Sequence, residues 1–217
     1  MSSPVNGPPG PRTYRSPLRE QQAAATRRAV LLAARHLFTR QGYPDTTVAQ
    51  VASRARVSVD TLYASVGRKP QLLLAVHDMV LGRADEPVVA EQREYVRAVQ
   101  AAVGARAKLV TYAEALGRVF PTTVPLADSL RVAAQGDAEC RNVWEGLNER
   151  RATNMLRFAR ELRATGELRD DLDDGDVAHL VWTTNSPEFY LLTTARGRTP
   201  EHYVAVVTDL WTRTLLA

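Results

Sequence analysis

The side chains best equipped for catalysis or metal binding are few and scattered. His36, His77, His179 and His202 show no His-Glu-x-x-His or comparable spacing that would set zinc ligands on one helix face. Asp170, Asp171, Asp173, Asp174 and Asp176 form an acidic run. No register of it puts acids at positions 1, 3 and 5 of a calcium loop with Gly at 6 and Glu at 12, so it reads as a solvated linker and helix cap. Asp85 and Glu86 adjoin without a partner base. G-x-S-x-G, the phosphate-cradling G-x-x-x-x-G-K-[ST] and a dinucleotide fingerprint after a strand are all missing. The expectation is a protein that is not an enzyme, with no cofactor and no metal.

A different chemistry, the reading of base edges, suits Val59, Asp60, Thr61 and Ala64. Short or polar side chains at the start of a helix let its backbone sit deep in a major groove. Val59 and the Thr61 methyl suit a thymine methyl. Asp60 either accepts from a cytosine amino group or complements the helix N-terminal dipole.

Sequence signals supply the elements to hold these residues. The first helix is expected from Ser16 as N-cap and Pro17 as first residue to about Arg40. Val30, Ala34, Leu37 and Phe38 form its apolar stripe, and Gly42 ends it. Thr47 followed by Gln50 is the capping-box pattern, with Val48, Val51 and Ala52 facing inward. Ser58 caps a third helix, Val59 to about Ser65, whose Leu62 and Val66 point into a core. Two short helices joined this closely make a helix-turn-helix. A fourth helix follows from about Lys69 to Gly82, with Leu72, Leu73, Val76 and Val80 inward.

Charge agrees with this placement. Residues 1–80 carry eleven Lys and Arg against four Asp and Glu, net +7, whereas residues 81–217 carry seventeen against twenty, net −3. The positive half suits a polyanion. Residues 1–15 hold too much Pro and Gly for regular structure and read as an arm, either a solvated tail or, through Arg12, Arg15 and Arg19, a follower of the minor groove.

With 217 residues, 45% of them hydrophobic and 24% charged, the chain can bury a core of its own in one or two domains. Apolar runs such as Ala29–Ala34 and Leu72–Val76 fall far short of the ~20 residues that cross a bilayer, so no membrane partner is expected. The first seventeen residues lack the apolar core of a signal peptide, which points to the cytoplasm. Cys140, the sole cysteine, forms no internal disulfide; it reads as a small buried apolar residue, with a redox switch as the alternative.

The stretch from Arg28 to Val76 resembles the DNA-binding domain of the tetracycline-repressor (TetR) family. Ala33-Ala34, Leu37-Phe38, Gly42-Tyr43, Thr46-Thr47-Val48, Val51-Ala52, Val57-Ser58, Thr61-Leu62-Tyr63, Lys69 and Leu72-Leu73 follow in order without gaps. The resemblance implies an all-α homodimer, with an N-terminal three-helix helix-turn-helix domain and a larger helical ligand-binding and dimerisation domain. It also implies double-stranded DNA as the target. Tyr63 and Lys69 occupy the family's phosphate-contact positions, joined by Tyr43 and Thr47 through hydroxyls and helix N-termini. Ser58 opens the reading helix. Two departures occur: the family's turn glycine is Arg56 here, and the usual aromatic before the fourth helix is Val66. If the turn position has positive φ, Arg56 costs about 1 kcal/mol, which a phosphate contact by its guanidinium offsets.

The remaining sequence is also helical in period, with helices expected near 90–101, 105–119, 123–135, 137–165, 174–196 and 200–216. Asp137 and Asp174 are caps, Gly166 and Gly197 stops, and Thr199-Pro200-Glu201 a restart. The division expected is an arm at 1–15, the helix-turn-helix domain at 16–66, a linking helix at 67–82 and the second domain at 83–217. Tyr112, Leu116 and Phe120, with Trp144, Met155 and Phe158, form helix stripes that are core or walls of a cavity for an apolar or amphipathic small molecule. Trp182 and Asn185 are candidates for a wall with a polar contact. Val177, Val181, Leu191, Val204, Val207, Leu210, Trp211 and Leu215 on the last two helices are expected at the dimer interface. The expected activity is that of a ligand-released repressor at a palindromic operator. The alternatives are an activator, a nucleoid-type DNA binder without inducer, and an enzyme that carries a helix-turn-helix.

Overall fold

The computed structural model describes residues 17–84 and 88–217. The expected cap at Ser16, the arm with Arg12 and Arg15, and the Asp85-Glu86 pair lie outside the described residues. Helix α1 (Pro17–Asp45) includes Arg19 and buries Val30, Leu31, Ala34 and Phe38 along one stripe. Its backbone leaves the helix at Gly42 (φ 81°), a conformation that disfavours any residue with a Cβ.

Thr47 then caps α2 (Val48–Ala55) through the full capping box: Thr47 Oγ1 accepts from the Gln50 amide at 3.2 Å, and Gln50 Oε1 accepts from the Thr47 amide at 2.8 Å. Helices α3 (Val59–Val66) and α4 (Lys69–Leu81) follow. Leu62 is fully buried beneath α3, while Val66 is only partly covered.

After a 3₁₀ turn at Ala90–Gln92 come α5 (Glu94–Ala101), α6 (Ala105–Ala133), α7 (Ala138–Arg163), α8 (Asp174–Thr184), α9 (Pro187–Thr193) and α10 (Pro200–Leu215). The fold is all-helical, with an N-terminal helix-turn-helix followed by a larger helical region. Two expected boundaries are corrected. The helices read at 105–119 and 123–135 are one, α6, which continues through Pro121 and Pro125. Each proline removes an intrahelical hydrogen bond at a cost of about 3 kcal/mol, offset here because both sides of the interruption are packed: Val119, Phe120, Thr123, Val124, Leu126 and Ala127 are all buried.

Conversely, the helix read at 174–196 is two. Pro187 pushes Ser186 into extended backbone (φ −83°, ψ 154°), and Ser186 then caps α9 by accepting from the Phe189 amide at 3.1 Å.

Buried side chains form two clusters. The first joins α1–α4 and extends to Leu126, Leu130, Ala134 and Cys140 of the α6–α7 corner. Cys140 lies in this core, its thiol 3.4 Å from the Tyr43 hydroxyl. The second cluster is built by α5–α10. Trp211 is its anchor: the indole is 0% exposed, stacks on Tyr112 at 5.8 Å, and donates its Nε1–H to Thr184 Oγ1 at 2.7 Å. Helix α6 comes close to α10 at Gly117, where a Cβ would collide with Val204. Helix α4 connects the clusters, contributing Leu72, Val76 and Met79 to the first and packing Leu81 against the second.

Candidate DNA-reading surface and ligand cavity

The turn between α2 and α3 is shaped by Arg56, which adopts left-handed backbone (φ 57°, ψ 41°) as the α2 cap. Its amide and that of Val57 close the end of α2 on Ser53 and Ala52 carbonyls at 3.1 and 3.0 Å. Ser58 starts α3 by accepting from the Thr61 amide at 3.0 Å, and its hydroxyl pairs with Thr61 Oγ1 at 2.8 Å. With Leu62 anchored below, Val59, Asp60, Thr61, Tyr63 and Ala64 all face outward; Val59 is 36% and Tyr63 44% exposed. Thr47 and Arg56 are exposed beside them.

The end of α3 is tied to α1 by Arg27, whose guanidinium donates to the Ser65 carbonyl. Sequence periodicity gave no sign of Arg27, because a contact across 38 residues leaves no local pattern. The exposed arginines Arg40 and Arg54 extend the positive surface: His36 is held below its usual range by partial desolvation and then by their charges. Lys69 reaches back to the α1 end, its Nζ 3.3 Å from the Pro44 carbonyl and 4.3 Å from the centre of the Tyr43 ring.

Tyr43 is a correction. Its ring is buried against Phe38 and its hydroxyl faces Cys140, so the hydroxyl expected at a phosphate points inward. The ring supports Lys69 instead.

Arg56 yields a direct test. Replacing it by Gly relieves the left-handed strain, so Arg56→Gly should raise the unfolding free energy by about 0.5 kcal/mol. The phosphate contact expected of its guanidinium further predicts a fall in DNA affinity, with the log–log salt slope shrinking by about one unit. Chemical denaturation and binding at several salt concentrations check both halves. A less stable variant, or one with an unaltered salt slope, contradicts this account.

Between α5, α6 and α7 lies a cavity of about 190 Å³. Of the candidate wall residues, Tyr112, Leu116, Phe120, Met155, Phe158 and Asn185 line it. Trp144 and Trp182 do not: Trp144 packs against the first core cluster, and Trp182 stacks with His179 at 5.9 Å. Asn185 is buried at the end of α8, donating Nδ2–H to the Tyr112 hydroxyl at 2.7 Å.

Arg151, which the sequence did not single out, donates to Asn185 Oδ1 and, at 3.0 Å, to the Asn185 and Trp182 carbonyls. At the cavity wall, Arg150 holds Asp78 of α4 in a two-pronged pair at 2.7 and 2.8 Å, with His77 Nδ1 at 3.3 Å and Arg93 at 3.9 Å. The cavity wall is thereby linked to the helix that leads from the reading surface.

The residues expected at a dimer interface divide. Val177, Val181, Val207, Trp211 and Leu215 are fully or almost fully buried inside the second cluster. They face this chain's own core because α10 packs one side against α6 and because the Trp211 indole finds its acceptor within the chain. Leu191 at 41% and Leu192 at 77% exposure remain outward, with Val204 and Leu210 partly covered.

A capped helix pair with an outward recognition face, joined through α4 to a helical region with a cavity, defines a DNA-binding regulator of the helix-turn-helix class. Residues 30–76 match the model for bacterial regulatory proteins of the tetR family. The chain is thus similar to that family over its helix-turn-helix region.

Among solved structures it is similar to a protein from Saccharomonospora viridis in complex with choline, at 18% identity and TM-score 0.66, covering 89% of this chain and 99% of that one. It also resembles the fatty acid degradation regulator FadR from Bacillus halodurans, at 17% identity and TM-score 0.64, covering 86% and 94%. NalD, the secondary repressor of the MexAB-OprM multidrug efflux pump in Pseudomonas aeruginosa, aligns at 16% identity and TM-score 0.60, covering 89% and 98%. At such identities the likeness is one of fold. Among curated proteins no relative matches. No helix among the described residues is long and apolar enough to cross a membrane.

Proposed function

We propose that the protein is a homodimeric repressor that leaves a palindromic operator when a small molecule enters the cavity between α5, α6 and α7. The observation that carries this reading is the outward set Val59, Asp60, Thr61, Tyr63 and Ala64 on a helix anchored by buried Leu62 and capped by Ser58. Val59, Thr61 and Ala64 meet base edges, Asp60 a cytosine amino group, and Thr47, Arg56, Tyr63 and Lys69 meet phosphates. Two copies joined through the outward side of α8–α10 place their α3 helices in successive major grooves about 34–36 Å apart. A ligand that favours a different setting of α4 shifts this spacing and lowers operator affinity. Relatives of the same fold support the two halves of the reading: one was solved with choline, and NalD is a repressor.

Selection of binding sites from random DNA, followed by footprinting, tests the proposal. The expected product is a palindrome with half-site centres one helical turn apart. Val59→Ala should alter preference at one position of each half-site, at a cost of about 1–3 kcal/mol there and little elsewhere. Recovery of an asymmetric site, or of the same motif from the Val59 variant, would count against the assignment.

A further inference from the structure

The cavity has a surplus of hydrogen-bond donors. Arg157 is paired with Glu91 at 2.9 Å, Glu161 accepts from Lys108 at 2.6 Å, and Arg150 is taken by Asp78. Arg151 is the cavity arginine with no carboxylate within 4.0 Å among the described residues; its acceptors are Asn148 Oδ1, Asn185 Oδ1 and the Trp182 and Asn185 carbonyls. Those carbonyls end α8, whose dipole offsets about half a charge, and the Arg151 Nε–H has no acceptor among the described residues.

Neighbouring donors are poorly used as well. The Tyr112 hydroxyl accepts from Asn185 Nδ2 and donates only to the Met155 sulfur at 3.7 Å, while Asn185 Nδ2 also meets that sulfur at 3.2 Å. Sulfur is a weak acceptor. Burial lowers the pKa of Arg151, the sign of a charge held in a medium that stabilises it poorly.

We infer that the cavity takes a small monocarboxylate with an apolar body, its carboxylate received by Arg151, Tyr112 and Asn185. This deepens, and rests on, the reading of the cavity as the ligand site. The apolar body lies against Leu116, Phe120 and Phe158. Size limits it: an apolar cavity of about 150 Å³ accommodates benzene, so about 190 Å³ suits one ring, or an aliphatic chain of similar volume, plus the acid group. A cation meets the wrong sign of charge. A neutral molecule leaves the Arg151 charge uncompensated, which a buried site penalises.

Calorimetric titration of the full-length protein with benzoate, benzamide and benzyltrimethylammonium tests the inference. Benzoate should bind at least tenfold more tightly than either alternative and should weaken operator binding. Leu116→Trp, which fills the cavity, should abolish benzoate binding. Arg151→Gln should bring the benzoate-to-benzamide ratio close to one. Should that variant lose its fold, Tyr112→Phe removes a single hydroxyl and should lower the same ratio several-fold. Equal binding of benzamide or of the cation overturns the inference, as does failure of benzoate to bind at millimolar concentration. Release from the operator by a neutral or cationic compound then still upholds the ligand-responsive reading, whereas no release by any compound class counts against that reading itself.

Discussion

Asp78→Ala is expected to lower the unfolding free energy by about 3 kcal/mol at neutral pH, because it leaves buried Arg93 without its nearest carboxylate and frees Arg150 from α4. The lower end of the usual cost of breaking a buried pair applies, since the Arg150 side chain is 41% exposed and can turn to water. Burial by itself raises the Asp78 pKa, but hydrogen bonds from His77 and Arg150 and their charges outweigh it, holding the carboxyl down at about 2 against an ordinary 3.8.

A carboxyl depressed in the folded state stabilises fully above its unfolded value and loses that contribution as pH falls through the folded one. Asp78 therefore supplies about 2 kcal/mol that is present above roughly pH 4 and gone near pH 2. Urea denaturation of wild type and Asp78→Asn across this range should show a gap that is widest at neutral pH and narrows steadily toward pH 2. A gap independent of pH would mean that packing at this position, and not the ionised carboxylate, holds α4 to α5 and α7.

For the proposed homodimer, Leu210→Arg is expected to leave a monomer at micromolar concentration and to weaken operator binding by 100-fold or more. One head retains its own half-site contacts but loses the effective concentration that its partner supplies, a factor of 10² to 10⁴. The side chain is only partly covered within its own subunit, so a charge there acts mainly on whatever packs outside. Leu192→Glu, at a position 77% exposed, is the companion variant that spares the fold. Val207→Glu does not serve this purpose, because Val207 is fully buried and a carboxylate there destabilises the subunit itself. Sedimentation and operator binding read the outcome. Dimers of wild-type affinity in both variants would place the interface elsewhere on the surface.

Local signals in the sequence determined most of the N-terminal region. The Thr47 capping box, the Ser58 cap and the break at Gly42 each involve residues within a few positions of one another, where short-range sterics and hydrogen bonds decide the outcome. Leu62 inward with Val59 and Tyr63 outward follows from helical period alone. Periodicity also found six of the residues that line the cavity, because a stripe facing a core and a stripe facing a cavity look the same from within one helix. It could not separate them from Trp144 and Trp182, whose surroundings come from distant helices.

Tertiary structure alone decided where competing faces point. Whether α6 survives Pro121 and Pro125 depended on how much burial the continuing helix gains. Whether Trp211 meets a partner subunit or its own core depended on Thr184, 27 residues away, being placed to accept its N–H. The same holds for the inward turn of the Tyr43 hydroxyl to Cys140, for Arg27 at the end of α3, and for the ties from Arg150 to Asp78 and from Arg151 to Asn185. Each joins residues that no local pattern relates, and each was selected by the need to satisfy a buried polar group once the helices had packed.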